Sequence, residues 1–154
     1  MRRSRILFLL LCWVSMTFSA HAATGSVIKV LPLFLDLKGR SALTPSLYDR
    51  DAYQAVLLQH PEQRSGTQYA VQWKSKDPVW EPLQLQIELR GAAQGGAPKQ
   101  VVLAKAVQPT GWLGTWTYFL LEKNDYKKLG EVTAWRVSLW EGNQLLGTEK
   151  SFLW

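Results

Sequence analysis

The sequence predicts an all-β domain, a sandwich of seven strands with one short helix between the first strand and the second. Residues 133–154 contain two β-rich runs joined by Gly142-Asn143, a pair that readily adopts the positive φ of a hairpin turn. Residues 83–90 alternate strictly between apolar and polar side chains, as a half-buried strand does. Shorter β-rich runs separated by turn residues occupy much of the remaining chain.

The first 22 residues have the features of a secretory signal peptide. Three arginines lie within the first five residues, an apolar run covers residues 6–14, and Ala20-His21-Ala22 is a small-x-small cleavage site. The apolar run is short for a membrane span. We expect cleavage after Ala22, which leaves a single domain over residues 23–154 without a membrane span.

Cysteine usage and charge indicate the compartment and limit the partners. Cys12 is the only cysteine and leaves with the signal peptide, and Leu11 stands before it where a lipidation site needs a small residue. Export without disulfides is typical of a bacterial periplasm or exterior. The basic residues are scattered, and Lys127-Lys128 is the only adjacent pair after the signal peptide, so we expect no nucleic-acid partner.

The chain up to residue 60 predicts one strand and one helix. Residues 26–37 are mostly apolar, and Pro32 within them marks an edge strand or a kink because proline donates no ladder hydrogen bond. Residues 44–60 combine a capping residue, Thr44 or Ser46, with a modest apolar stripe at helical spacing. We expect a helix of about three turns over an open side of the sandwich, and an irregular loop is the alternative.

The middle of the chain predicts three strands. Residues 67–75 alternate and place Trp73 on an inward face, and a turn-rich link follows. Residues 83–90 and 100–107 form a long hairpin around a glycine-rich tip. In the first of these two strands, leucine and isoleucine point inward and Gln84, Gln86, Glu88 and Arg90 point outward.

Three further strands close the domain. Residues 114–121 form one strand, residues 122–130 are a polar connection, and the closing hairpin supplies the last two. In the first strand of that hairpin, Trp135, Val137 and Leu139 share the face that we expect to lie in the core. Arg136, Ser138 and Trp140 share the opposite face.

These seven strands, in this order, resemble the fibronectin type III branch of the immunoglobulin-like sandwiches. The local match is Leu129, an aromatic residue six positions later, and then Val137 and Leu139. Trp135 stands where the family has a tyrosine. The hydroxyl of that tyrosine makes the hydrogen bond of the tyrosine corner, and tryptophan has no hydroxyl group. Trp73 is similar to the core tryptophan usual on the second strand. The resemblance implies that the sixth strand lies beside the third.

A second resemblance is to small exported bacterial proteins. It rests on the closing Trp-Arg-Val-Ser-Leu-Trp run and the Ser-Phe-Leu-Trp end. It implies no activity.

Few residues suited to catalysis follow the signal peptide. His60 is the only histidine there, and its place before Pro61 at a predicted helix end favours a capping or exposed role over a Ser-His-Asp set. The spacing of acidic residues and histidines fits neither a zinc site nor a calcium loop, and nothing selects a pair of glycosidase carboxylates. We therefore expect no enzyme activity, no cofactor and no metal.

Tryptophan is unusually frequent, with eight in the chain, and one of them suggests a binding face. If the sixth strand pairs with the third, Trp140 lies among amide, carboxylate and guanidinium groups, a setting that suits a sugar or an extended peptide. The candidate binding residues are Trp140, Arg136, Ser138, Glu88, Gln86 and Arg90. The alternative is a structural Glu88–Arg136 pair with the arginine stacked on Trp140.

Two functions follow from these features. The first is an exported, non-enzymatic interaction or structural domain of the cell envelope, periplasmic or secreted, with a protein or glycan partner. The second is a carbohydrate-binding module that uses the outward face around Trp140.

Overall fold

The computed structural model describes residues 24–76, 79–92, 98–109 and 111–154. The expected signal peptide lies outside the described residues, as do most of the glycine-rich tip and part of the link after residue 76.

The described chain forms seven strands and two α-helices, which confirms the predicted fold class. The strands are β1 Thr24–Asp36, β2 Arg64–Lys76, β3 Leu83–Ala92, β4 Pro98–Val107, β5 Gly111–Leu121, β6 Glu131–Glu141 and β7 Gln144–Lys150. The helices are α1 Leu47–Gln59 and α2 Lys123–Leu129, and a 3-10 turn, Pro61–Gln63, follows α1. The sequence did not predict α2, where Asp125 in the first turn and two lysines in the last turn suit the helix dipole.

The strands pair into two antiparallel sheets. One has three strands in the order β1-β2-β5, and the other has four in the order β4-β3-β6-β7. The sixth strand therefore lies beside the third, as expected, and its register pairs Glu88 with Arg136 and Gln84 with Trp140. The closing hairpin is confirmed, and Gly142 supplies its positive φ of 52°.

One apolar layer fills the space between the two sheets. Its most buried members come from the central strands of both sheets. Those that are at most 1% exposed include Val71, Trp73, Leu85, Ile87, Val137 and Leu139. The indole nitrogen of Trp73 donates to Thr117 Oγ1 at 2.9 Å, so the only polar atom of this side chain is satisfied.

Trp135 shares the inward parity but is only half-buried. It packs against the margin of the core because a cavity lies between the two sheets at this point. The expectation that Trp135 lies in the core is therefore only partly right.

Two glycines let β1 approach β7 and close one side of the sandwich. A Cβ atom at Gly147 would lie 2.9 Å from Ser26 Cα and 3.0 Å from the carbonyl oxygen of Gly25. A Cβ atom at Gly25 would in turn lie 2.7 Å from Leu139 Cδ2. Larger side chains at either position would push the two sheets apart at this edge.

Helix α1 covers the far half of β1, and it does so mainly through polar contacts. The Gln54 carboxamide accepts from the backbone N–H of Phe34 at 2.7 Å and donates to the carbonyl of the same residue at 2.9 Å. Arg64 donates to the carbonyls of Leu57 and Leu58 at the end of the helix and stacks on the Phe34 ring. The apolar stripe of α1 is modest, and the Gln54 carboxamide adds to its attachment. It hydrogen-bonds the N–H and C=O of Phe34 on the side of β1 away from β2.

Asp36 organises the turn between β1 and α1. Its carboxylate accepts hydrogen bonds from the backbone N–H groups of Lys38 and Arg40, from Arg40 Nε at 2.9 Å and from the Tyr53 hydroxyl at 2.8 Å. Burial alone would raise the pKa of Asp36. The hydrogen bonds from Arg40, Tyr53 and Lys38 outweigh it and lower the pKa from 3.8 to about 2.

Trp73→Ala should lower the free energy of unfolding by about 3–5 kcal/mol, the range for a buried large aromatic residue. Trp135→Ala should cost less, because part of the Trp135 side chain already contacts solvent. Urea denaturation of the two variants measures the difference. Equal losses would show that Trp135 is as much a core residue as Trp73.

Asp36→Asn should destabilise the protein at neutral pH, and its deficit relative to the unsubstituted chain should shrink as the pH falls from about 4 to about 2. The folded-state pKa lies below the unfolded-state value, so the carboxylate stabilises the fold above the unfolded value. That contribution is lost as the pH falls through about 2. Denaturation at several pH values tests this, with Asp125→Asn as an exposed control. A deficit that does not change with pH would contradict the prediction.

Candidate functional site

The outer face of the four-stranded sheet brings the candidate residues of β3 and β6 together. Glu88 Oε1 accepts from Arg136 Nε at 2.9 Å and from Arg136 Nη2 at 2.7 Å, while Gln100 Nε2 donates to the other carboxylate oxygen at 3.1 Å. Glu88 is buried, and both of its oxygens are engaged. Glu88 therefore forms a structural cross-strand ion pair with Arg136, and its carboxylate is not free to bind a ligand.

Trp154, which the sequence analysis did not place, covers this pair. Ser151 anchors the segment after β7, because its hydroxyl accepts from the N–H of Trp135 at 3.0 Å and its N–H donates to the carbonyl of Trp135 at 2.9 Å. The chain then turns, and the Trp154 ring centroid lies 3.7 Å from Arg90 Cζ and 4.7 Å from Arg136 Cζ. The tryptophan that stacks on these guanidinium groups is therefore Trp154, whereas the sequence pointed to Trp140.

Trp140 faces outward, as its parity predicts, but it is half-buried and not an open plate. Its indole nitrogen is shielded from solvent and has no hydrogen-bond partner in the described chain. Ser138 is also buried, beside Thr148, whose hydroxyl donates to the carbonyl of Val137. The expected exposed patch is therefore largely closed: of its residues Arg90 is exposed, and Gln86 is half-buried.

The outer face of the three-stranded sheet is more open, and the sequence analysis did not single it out. On β5, Trp116 is 38% exposed, Tyr118 51% and Leu120 44%. The β-ladder sets these side chains against Gln72, Ala70 and Gln68 of β2, and Leu31 and Leu33 lie across from the latter two on β1. We call these eight residues the aromatic face: Leu31, Leu33, Gln68, Ala70, Gln72, Trp116, Tyr118 and Leu120.

The aromatic face is largely uncharged. None of its eight residues is charged, and Ala70 is buried between its longer neighbours on β1 and β5. The exposed Lys29 lies at its edge, across the ladder from Gln72. The available sequence signal was the shared parity of Trp116, Tyr118 and Leu120. It was ambiguous because Phe119 and Leu121, on the opposite parity, are apolar too, and the structure buries those two in the core.

His60 lies where the sequence placed it, at the end of α1, and it is exposed. Its Nδ1 lies 3.1 Å from Glu62 Oε1, which is also exposed. Within the described ranges, no group of three or more histidine, cysteine, aspartate or glutamate side chains is placed to hold a metal ion.

Comparisons with protein-family models, with curated proteins and with solved structures give no match. Neither helix of the described chain is both long and apolar enough to cross a membrane. Functional inference therefore rests on the two outer faces and on the cavity between the sheets.

A double-mutant cycle on Trp154→Ala and Arg136→Ala should give a coupling energy of about 0.5–2 kcal/mol, the range for a cation–π contact from exposed to desolvated settings. The cycle is measured by urea denaturation. Trp154→Ala with Lys128→Ala, on the exposed side of α2, is the control and should be additive. Additivity in both cycles would mean that Trp154 does not stabilise Arg136.

Proposed function

We propose that this chain is an exported, non-enzymatic interaction domain of the cell envelope, periplasmic or secreted, built on a fibronectin type III-like sandwich. The basic start, short apolar run and Ala20-His21-Ala22 site support export. The pairing of the sixth strand with the third, in sheets of three and four strands, supports the likeness to that sandwich.

The observation that carries the proposal is the aromatic face. Scattered apolar residues are normal on protein surfaces, but a contiguous apolar surface with a polar rim is typical of an interaction site. Here Trp116, Tyr118 and Leu120 follow one another along a single strand, each more than one-third exposed. Tyrosine and tryptophan are also the residues that contribute most energy to protein interfaces.

The chemistry of the aromatic face favours a protein partner that contributes apolar side chains. Gln68 and Gln72 supply amide groups among the rings, which suit hydrogen bonds to a partner's backbone. Because none of the eight residues is charged and Lys29 lies only at the edge of the face, binding should depend only modestly on salt.

Trp116→Ala combined with Tyr118→Ala should abolish the capture of a partner from envelope extracts. The thermal unfolding midpoint should fall only modestly, since the two side chains are 38% and 51% exposed and lie outside the core. Trp80→Ala is the matched control, because Trp80 is a highly exposed tryptophan outside the aromatic face. Quantitative mass spectrometry of cross-linked complexes compares the variants. The same captured proteins with the double variant would refute the aromatic face as the binding surface.

A second proposal is a carbohydrate-binding module on the opposite face of the domain. It is supported by Gln84, exposed directly across the ladder from Trp140, and by the exposed Arg90. On this proposal, Trp140→Ala loses binding on a glycan array while the Trp116→Ala, Tyr118→Ala variant retains it. The two proposals are thus distinguished by which variant loses its ligand.

Protein recovered from outside the cytoplasm should begin at Ala23, since the expected cleavage follows Ala22. Intact-mass analysis of the exported protein checks this. Substituting arginine for Ala22, which removes the small residue before the scissile bond, should leave the precursor uncut. A mass that includes Met1 in exported, unsubstituted protein would overturn the expectation of a cleaved signal.

A further inference from the structure

A cavity of about 180 Å³ lies between the two sheets, at the end of the sandwich where α2 packs. Four of its lining residues are aromatic and come from four separate elements: Phe34 on β1, Tyr69 on β2, Tyr126 on α2 and Trp135 on β6. A cavity of about 150 Å³ is large enough to hold one benzene ring. This space therefore suits one compact group rather than an extended ligand.

The lining of the cavity carries one charge, and it is negative. Glu131, at the start of β6, is the only charged lining residue. Arg64 stacks on the Phe34 ring but does not line the cavity, because its guanidinium donates to the carbonyls at the end of α1. Aromatic ring faces are themselves negative, so the rings of Tyr69, Tyr126 and Trp135 and the Glu131 carboxylate attract a cation. One face of Phe34 is already occupied by the Arg64 guanidinium, 4.0 Å from the ring centroid.

Tyr69 supplies a neutral polar group at the same place. It is 1% exposed and lines the cavity beside Tyr126. Burial raises the pKa of Tyr69. The phenol stays protonated at physiological pH, so it adds a donor without adding a charge.

We propose that this cavity binds a small organic cation with a methylated ammonium head. Methylated ammonium groups are recognised by several aromatic side chains that surround them, each ring attracting the cation across its face. Such a head group cannot satisfy strong hydrogen-bond acceptors, so a mostly aromatic lining suits it better than it suits a primary amine. Glu131 balances the ligand's charge at the rim. The site is distinct from the aromatic face and does not rest on the proposed interaction role.

The test compares choline with 3,3-dimethylbutan-1-ol, a neutral molecule of almost the same shape, by titration calorimetry and by the NMR shift of the Trp135 indole N–H. Choline should bind about tenfold more tightly than the neutral isostere, because only choline has cation–π and ionic attraction to the lining. Glu131→Gln should weaken choline several-fold and leave the isostere unchanged. Glu149→Gln, an exposed carboxylate on β7, is the control and should change neither.

Tyr126→Leu provides a second variant that keeps an apolar group on α2 while removing one ring. It should lower the affinity for choline and leave that for the isostere nearly constant, and circular dichroism confirms that it is folded. Equal affinity for choline and the isostere would show an apolar pocket for neutral ligands and overturn the proposal. No binding of choline, or choline binding that Glu131→Gln and Tyr126→Leu leave intact, would overturn it as well.

Discussion

The apolar layer between the two sheets determines which side chains this protein exposes to solvent. Because side chains alternate along a strand, burying Phe119 and Leu121 forces Trp116, Tyr118 and Leu120 to the outside. The same constraint on β6 buries Val137 and Leu139 and places Arg136 and the half-buried Trp140 on the outer face, across from Glu88 and Gln84. A one-residue shift in register would exchange the inward and outward side chains of a strand and expose its core residues to solvent.

The two outer faces are treated differently by the rest of the chain. On the four-stranded sheet, Glu88 and Arg136 form an ion pair, and the Trp154 ring stacks on Arg136. These two charged groups are therefore paired within the protein. On the three-stranded sheet, no described segment lies over Trp116 and Tyr118, which stay open to solvent. An internally satisfied face contributes to stability, whereas an open apolar face is suited to contact another molecule.

Sequence periodicity was sufficient for the strands, for the closing hairpin and for α1, since each has a local signal in turn residues, caps or alternation. Periodicity also placed Glu88 and Arg136 on outward parities, but the pairing of β3 with β6 that brings them together was expected from the resemblance and not from periodicity. It failed for Trp154, which follows the end of β7, where the two-residue period no longer applies. It failed for the exposure of Trp135, which depends on what lies across the sandwich.

The cavity illustrates a further limit of reading a sequence locally. Phe34, Tyr69, Tyr126 and Trp135 are spread over four elements, and each taken alone is an unremarkable aromatic residue of a β protein. Only the packing of β1, β2, α2 and β6 brings their side chains to one place. Glu131 likewise becomes a candidate binding residue only because it lies beside these aromatic side chains in the folded protein.

The attachment of α1 through Gln54 has a consequence for how this protein can fail. The carboxamide stands in for a neighbouring strand by occupying the N–H and C=O of Phe34. If α1 detaches while the sandwich persists, those groups become an open strand edge, ready to pair with a strand from another molecule. Conditions that melt this helix first would expose that edge to β-mediated aggregation before the core has opened.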